Sequence, residues 1–387
     1  PPRALGTRTF RDRPDADAAD TPQPGSGDMQ DAEQDATRAR GRAGEHDGGW
    51  RKAAVAGGVT VGALAAGAAV ANAAVAARGV PPLENPVGGA EGSWSWQHAG
   101  GTHRIAWTRR GRGSHVLLVH AIHAAAWSYE WRHVVDRLAE RHTVWTLDLL
   151  GFGRSDRPDV RYTSALYVAL LDAFTREVID APCALVGSSL SAAYTVALAA
   201  RDARRFPALV VVTPCGITHL ASTPGPGNDV AQRLIASPLV GTAFFNALVS
   251  TPSLKFFLDK AYATPGWATP ELVAAHWRTA HQPGARFAPA AFVGFALNLN
   301  VRDAARRLEQ PVLVTWGDRA KEVPRTELEA YQTEIPHAEV VRFADSASLP
   351  HDGRAERWAA TVLDFLARAA ATRTRRDEEP ERRAAVA

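Results

Sequence analysis

The chain has 387 residues, of which 46% are hydrophobic and 22% charged, with a formal net charge of +3. That length holds one large domain with appendages, and the composition is that of a globular protein, not a fibrous one. The basic excess is interspersed, with no Lys/Arg run interleaved with aromatics, so no nucleic-acid partner is expected.

The first 50 residues are rich in Pro, Gly, Asp, Ala and Arg and lack hydrophobic periodicity. Such a segment buries too little apolar surface to offset its ordering entropy, and disorder is expected for 1–50. Residues 53–77 contain no charged side chain and follow Arg51 and Lys52. Three readings are open for this Ala/Gly-rich stretch. It is long enough for a transmembrane anchor of about 20 residues. It also fits an export signal ending at Ala71-Asn72-Ala73, or an Ala-rich helix lying on the domain. The first two put the large domain at or beyond a membrane, with the preceding basic residues favouring an inside N-terminus. The membrane is therefore an expected partner through this segment.

Residues 79–92 read as a Pro/Gly linker, and 93–370 as the folded domain. WSWQH and RIAWT alternate as two antiparallel strands should. From residue 115 the pattern becomes short apolar runs separated by helical stretches, the mark of a parallel sheet. HVLLVH, TVWTLDLL, ALVGSS and ALVVVT are strand-like, with AWSYEWRHVVDRLAER, TSALYVALLDAFTREVI and SAAYTVALAARDA as helices between them. PVLVTW, EVVRF and the helix ERWAATVLDFLARAA complete the pattern. Between them, about 215–308, the chain shows only amphipathic segments, which reads as a helical cap over the site and not as a loop. The charged tail, 371–387, is expected to be disordered. Cys183 and Cys215 fall at opposite ends of neighbouring strands, farther apart than the ~7 Å a disulfide allows between Cα atoms. They are expected to be free thiols, and no metal site is expected from their spacing.

Three stretches carry chemistry. In Leu185-Val186-Gly187-Ser188-Ser189-Leu190-Ser191, a buried strand turns into an Ala-rich helix. A nucleophile elbow needs small residues two before and two after its apex, and here those are Gly187 and Ser191 around Ser189. The helix that follows aims its N-terminus at developing negative charge. In Leu117-Leu118-Val119-His120-Ala121-Ile122-His123, the loop after an earlier strand supplies a second oxyanion donor. Leu190 and Ile122 are the candidate N–H groups. His120, His123 and Ser188 are pocket candidates; by itself His120 reads as a structural hydrogen-bonder at a strand end, and the plainer reading of His123 is a loop histidine facing the cap. In Asp148-Leu149-Leu150-Gly151-Phe152-Gly153-Arg154-Ser155, two glycines shape a loop that Asp148 ties down, which reads as scaffold.

Together these motifs closely resemble the α/β-hydrolase superfamily, in its cofactor-free esterase, haloperoxidase-like and C–C hydrolase branch. The resemblance covers about 93–370 and rests on His120-Ala121, DLLGFGRSDRP, GSSLS, WGDRAKEVP and SASLPHDGRAERW. It implies an α/β fold with a mostly parallel eight-stranded sheet, a helical cap before the late strands, a Ser–acid–His triad, and no metal or organic cofactor. The departures are specific. The position where relatives carry the acid is Ala320, and the position of the base is Ser348. Ser188 stands where a histidine is usual before the nucleophile.

A serine hydroxyl needs a base to take its proton as it attacks. Two replacements are open: His351, three residues past the lost histidine, with Asp318, Glu322 or Asp345 to orient it; or His123 from the opposite side. The alternative for His351 is a packing histidine. The expected function is hydrolysis of an ester or related bond in a small hydrophobic substrate, with Phe244, Phe245, Phe256, Phe257, Phe292 and Phe295 of the cap lining its pocket. The alternative is a catalytically inactive binding protein for a lipid-like ligand or a protein partner. Dehalogenase or epoxide-hydrolase chemistry is disfavoured, because by resemblance those reactions use Asp at the apex, and this chain has Ser189.

Overall fold

The computed structural model describes residues 66–386 apart from 68, 71, 263 and 265. The disorder expected for 1–50, and most of the apolar stretch beginning at residue 53, lie outside the described residues. Eight strands form one sheet in the order β1-β2-β4-β3-β5-β6-β7-β8. β1 (Ala90–His98) and β2 (Gly101–Arg110) are the antiparallel pair anticipated from their alternation. β1 takes in the last residues of the stretch read as a linker. β2 is also antiparallel to β4 (His142–Leu147). From β4 across the sheet, β3 (Ser114–Val119), β5 (Cys183–Ser188), β6 (Leu209–Val212), β7 (Val312–Gly317) and β8 (Glu339–Phe343) all pair in parallel.

The central strands are apolar throughout because helices cover both faces of the sheet. Leu117, Val119 and Leu185 enter one core, while Val116, Leu118 and Val186 enter the other, as the two-residue period of a strand requires. Cys183 and Cys215 are both free and buried.

The stretch 126–141, anticipated as one helix, is broken. A 3-10 turn at Ser128–Trp131 precedes a short α1 (Val135–Ala139). Tertiary hydrogen bonds override the helical pattern there. The Ser128 N–H donates to Asp148, and the Glu130 carboxylate turns inward to accept from the Ala121 N–H. The next two helices, α2 (Ser164–Phe174) and α3 (Leu190–Ala199), lie where anticipated. The Thr163 side chain caps α2 by accepting from Leu166 N.

Six helices separate β6 from β7: α4 (Pro226–Ile235), α5 (Val240–Leu248), α6 (Thr251–Ala261), α7 (Pro270–Ala280), α8 (Phe287–Val293) and α9 (Arg302–Arg306). Phe245, Leu254, Leu258, Tyr262 and Leu272 give the cap a core of its own. After β7 come α10 (Arg325–Glu334), the single turn α11 (Pro350–Gly353) and α12 (Ala355–Val386). The last helix runs on through most of 371–387, the tail for which disorder is expected. Elongating a helix already nucleated against the sheet is easy, and the tail is rich in good helix formers, Arg, Glu and Ala.

The described end of the apolar N-terminal stretch is helical at residues 72–77. Asn72 donates to the Leu239 carbonyl (3.2 Å) and accepts from Asn246 Nδ2 (3.0 Å), both in the cap. Among the described residues no helix is long and apolar enough to cross a membrane. At this end of the stretch the polar Asn72 finds its partners on the cap.

Candidate active site

Ser189 sits between β5 and α3 with φ 53° and ψ −121°, a conformation that side-chain-bearing residues rarely adopt. The turn is held from both sides. Ser189 N–H donates to Val212 O at 2.9 Å, and Cys215 N–H donates back to Ser189 O at 3.2 Å. Gly187 is required by close approach, since a Cβ there would lie 2.4 Å from Thr195 Oγ1 and 2.8 Å from Ala192 Cα. Ser191 Oγ donates to the His120 carbonyl at 2.6 Å, which fastens the loop after β3 to the helix behind the serine. Leu190 opens α3, so its N–H has no acceptor within the helix.

The loop 120–123, where the oxyanion donor is expected, is fixed by backbone and side-chain bonds together. His120 is fully buried; its Nδ1 lies 2.7 Å from Ala121 O and its Nε2 accepts from Leu149 N at 3.1 Å. That pairing sets the neutral tautomer with the proton on Nδ1. The Ala121 N–H donates to Glu130 Oε2 at 3.0 Å, and Ile122 follows. Asp148 holds the neighbouring glycine loop by accepting from Arg154 N and Nε, both at 3.0 Å. Ser188 is fully buried and its hydroxyl makes no hydrogen bond among the described residues, so it does not open onto a pocket.

Among the described residues, the hydrogen-bond contact of Ser189 Oγ is Cys215 Sγ at 3.9 Å, and no imidazole hydrogen-bonds it. Burial pushes the Cys215 thiol up to about 12, which keeps it protonated near neutral pH. His351 is fully buried between Trp131 and Trp358, with ring centroids 4.3 Å and 5.8 Å away. Its Nε2 approaches Glu130 Oε1 at 3.4 Å without forming a hydrogen bond.

This corrects the pairing of His351 with an acid from the late loops. Asp318 lies at the surface with Arg342 (2.7 Å), Glu322 accepts from Ser348 Oγ (2.6 Å), and Asp345 pairs with Arg354 (2.5 Å). Each carboxylate has a partner of its own, while the fused tryptophan rings capture the imidazole. The cap phenylalanines are corrected too. Phe245 is buried in the cap core and Phe292 packs against the main core, whereas Phe244, Phe256, Phe257 and Phe295 face outward.

A polar seam joins the cap to the sheet domain, and sequence reasoning missed it. Asp352 accepts from Arg132 at 3.0 Å and from Tyr262 of the cap. His276 of α7 stacks at 5.9 Å on His123, and Tyr129 meets His276 edge-on at 6.1 Å. Burial, reinforced by His276 and His120, pushes the His123 imidazole down to about 3, so it is neutral near pH 7. The one local signal was a Glu and an Arg set among the aromatics of WSYEWR; their partners lie far away in sequence.

A family model described as alpha/beta hydrolase fold matches residues 114–354. A 2-hydroxy-6-oxo-6-(2'-aminophenyl)hexa-2,4-dienoic acid hydrolase from Metapseudomonas resinovorans is 30% identical over 122 residues, 31% of this chain and 42% of the relative. A cis-3-alkyl-4-alkyloxetan-2-one decarboxylase from Shewanella oneidensis is 27% identical over 268 residues, 62% of this chain and 78% of the relative. Among solved structures, a serine hydrolase involved in carbazole degradation superposes with a TM-score of 0.59 at 19% identity, covering 72% of this chain and 99% of the other. The match spans about two fifths of the first curated relatives, 42% and 39% of their length. With the sheet order, the elbow at Ser189 and a family model spanning most of the domain, this chain belongs to the α/β-hydrolase superfamily.

Proposed function

We propose that this chain is a slow serine hydrolase acting on an ester or related acyl bond of a small apolar substrate, with a non-standard base. Ser189 Oγ attacks the carbonyl carbon, and the Leu190 and Ile122 N–H groups hold the oxygen that gains negative charge. The observation that carries this reading is the backbone of Ser189. Holding a non-glycine residue in a disfavoured conformation costs on the order of 1–3 kcal/mol. Three hydrogen bonds, through Val212, Cys215 and Ser191, and the close approach at Gly187 keep it there, and simple ligand binding makes no such demand on a hydroxyl.

The hydroxyl proton then needs an acceptor. His123 is the candidate, because it follows Ile122 in the oxyanion loop and its imidazole is neutral at pH 7. So low a basicity makes it a poor acceptor, since general-base catalysis works best with a pKa near the operating pH. Oxyanion stabilisation and binding without an efficient base leave about 10³-fold catalysis over water. Deacylation needs the same base to activate water, so the acyl-enzyme is expected to accumulate.

A fluorophosphonate probe tests this on the wild type, Ser189→Ala, His123→Ala and His351→Gln. Labelling is expected to vanish in Ser189→Ala, to slow in His123→Ala and to persist in His351→Gln. Absence of labelling in the wild type between about pH 6 and 9 favours the second reading, a catalytically inactive binding protein for a lipid-like ligand. That reading draws on Ala320 and Ser348, which stand where the resemblance places the acid and base, with Ser348 bonded to Glu322.

A further inference from the structure

The cap carries a surface that the chemistry at Ser189 does not use. Every large apolar side chain that the described residues leave exposed belongs to the cap or to the helix that precedes the domain. On an ordinary soluble surface such residues are scattered singly. Here α4, α5 and α6 pack in succession and present Leu234, Val240, Phe244, Phe256 and Phe257 to solvent. The three phenylalanines are 49%, 54% and 50% exposed. Phe256 and Phe257 pack edge to face at 5.4 Å.

The charges beside these rings are unequal. Over α4–α6 the charged side chains are Asp229, Arg233, Lys255, Asp259 and Lys260; Asp229 pairs with Arg161 and Asp259 with Lys255, and among the described residues no ion pair takes up Arg233 or Lys260. Lys260 Nζ lies 4.3 Å over the Phe256 ring. A helix that shows phenylalanines flanked by lysines suits a membrane interface, where rings enter the acyl boundary and ammonium groups meet acidic headgroups. The chain leading away from this face is apolar as well. Asn72 bonds to Leu239 and Asn246 of the cap, and residues 53–77 carry no charge.

We infer that the α4–α6 face of the cap docks on a lipid bilayer containing acidic phospholipids, next to the point where the uncharged N-terminal stretch joins the domain. A second copy of the chain fits less well, since a two-fold contact through this face would oppose its cations to one another. The inference does not depend on catalysis at Ser189, and its test reads no activity.

The full-length protein is labelled at Phe257→Cys with an environment-sensitive fluorophore; Cys183 and Cys215 are buried and stay unlabelled. A control carries the label at Arg141→Cys, exposed at the amino end of the sheet, away from the cap. Vesicles of phosphatidylcholine with phosphatidylglycerol are expected to shift the cap label to the blue and brighten it, less so with added salt, and to leave the control unchanged. The double variant Phe256→Ser, Phe257→Ser is expected to weaken vesicle cosedimentation by about tenfold or more, the loss of one buried ring sufficing for that factor. The inference is overturned if vesicles sediment the protein while the cap label does not respond, or if both labels respond alike. A cap label already blue-shifted without lipid also overturns it. A shift that grows with protein concentration would assign the face to a second copy, and one independent of concentration to the chain's own N-terminal segment.

Discussion

Asp148 shows how a single side chain can hold two loops of the site. Its carboxylate accepts from Ser128 N at 2.8 Å, beside the oxyanion loop, and from Arg154 in the glycine loop. Burial alone would raise its pKa, but Arg154 overrides that and holds it below the ordinary carboxylate value. A lowered folded pKa stabilises the fold above the unfolded value near 3.8, and that stability fades as pH falls through the folded value. Urea unfolding of the wild type and Asp148→Asn should therefore differ most near neutral pH, by about 3 kcal/mol for a broken buried pair. The gap is expected to narrow below about pH 4. A pH-independent gap would mean that Asp148 matters through shape alone. The elbow around Ser189, the strand-end His120 and the Asp148 loop were legible in sequence because a short local motif marks each of them, although their bonds reach as far as Val212, Leu149 and Ser128. His351 was not, because its neighbours Trp131, Glu130 and Trp358 come from two other elements.

At the scale of elements, the loops leaving β6, β7 and β8 decide what the site can do. The β6 loop is anchored by Glu327 of α10, whose buried carboxylate accepts from the N–H groups of Ile217, Thr218 and His219, each at 2.7 Å. Glu327→Ala strands three donors at the root of the cap. A loss of about 3 kcal/mol or more is expected in urea unfolding, and a loss below about 1 kcal/mol would show that water replaces the carboxylate. The β7 and β8 loops carry Ala320 and Ser348 at the positions where the resemblance puts acid and base. If the surrounding frame is intact, the double change Ala320→Asp, Ser348→His should raise ester kcat/KM by about 10²-fold or more. No increase in a folded double variant would mean that the β8 loop no longer points at Ser189. The strands and cap helices were readable from their periods. The break within 126–141 was not, because hydrogen bonds to Asp148 and from Ala121 chose a 3-10 turn where the local pattern favoured a helix.

Across the whole molecule, the sheet order and cap follow from alternating apolar runs and helices, and they bring Ser189 to the carboxyl ends of the parallel strands, where open α/β sheets place their sites. Surface distribution was the part that composition concealed. The phenylalanines of the cap read equally well as lining or as packing, and only the packed helices reveal that most of them face outward. The account as a whole turns on whether the Ser189 hydroxyl can be acylated without an imidazole bonded to it. Intact-protein mass spectrometry after incubation with p-nitrophenyl butyrate asks that directly. A single butyryl adduct that maps to Ser189, persists for many minutes and is missing in Ser189→Ala is the predicted result. Release of nitrophenol with no adduct at Ser189, or no reaction at all, would contradict it.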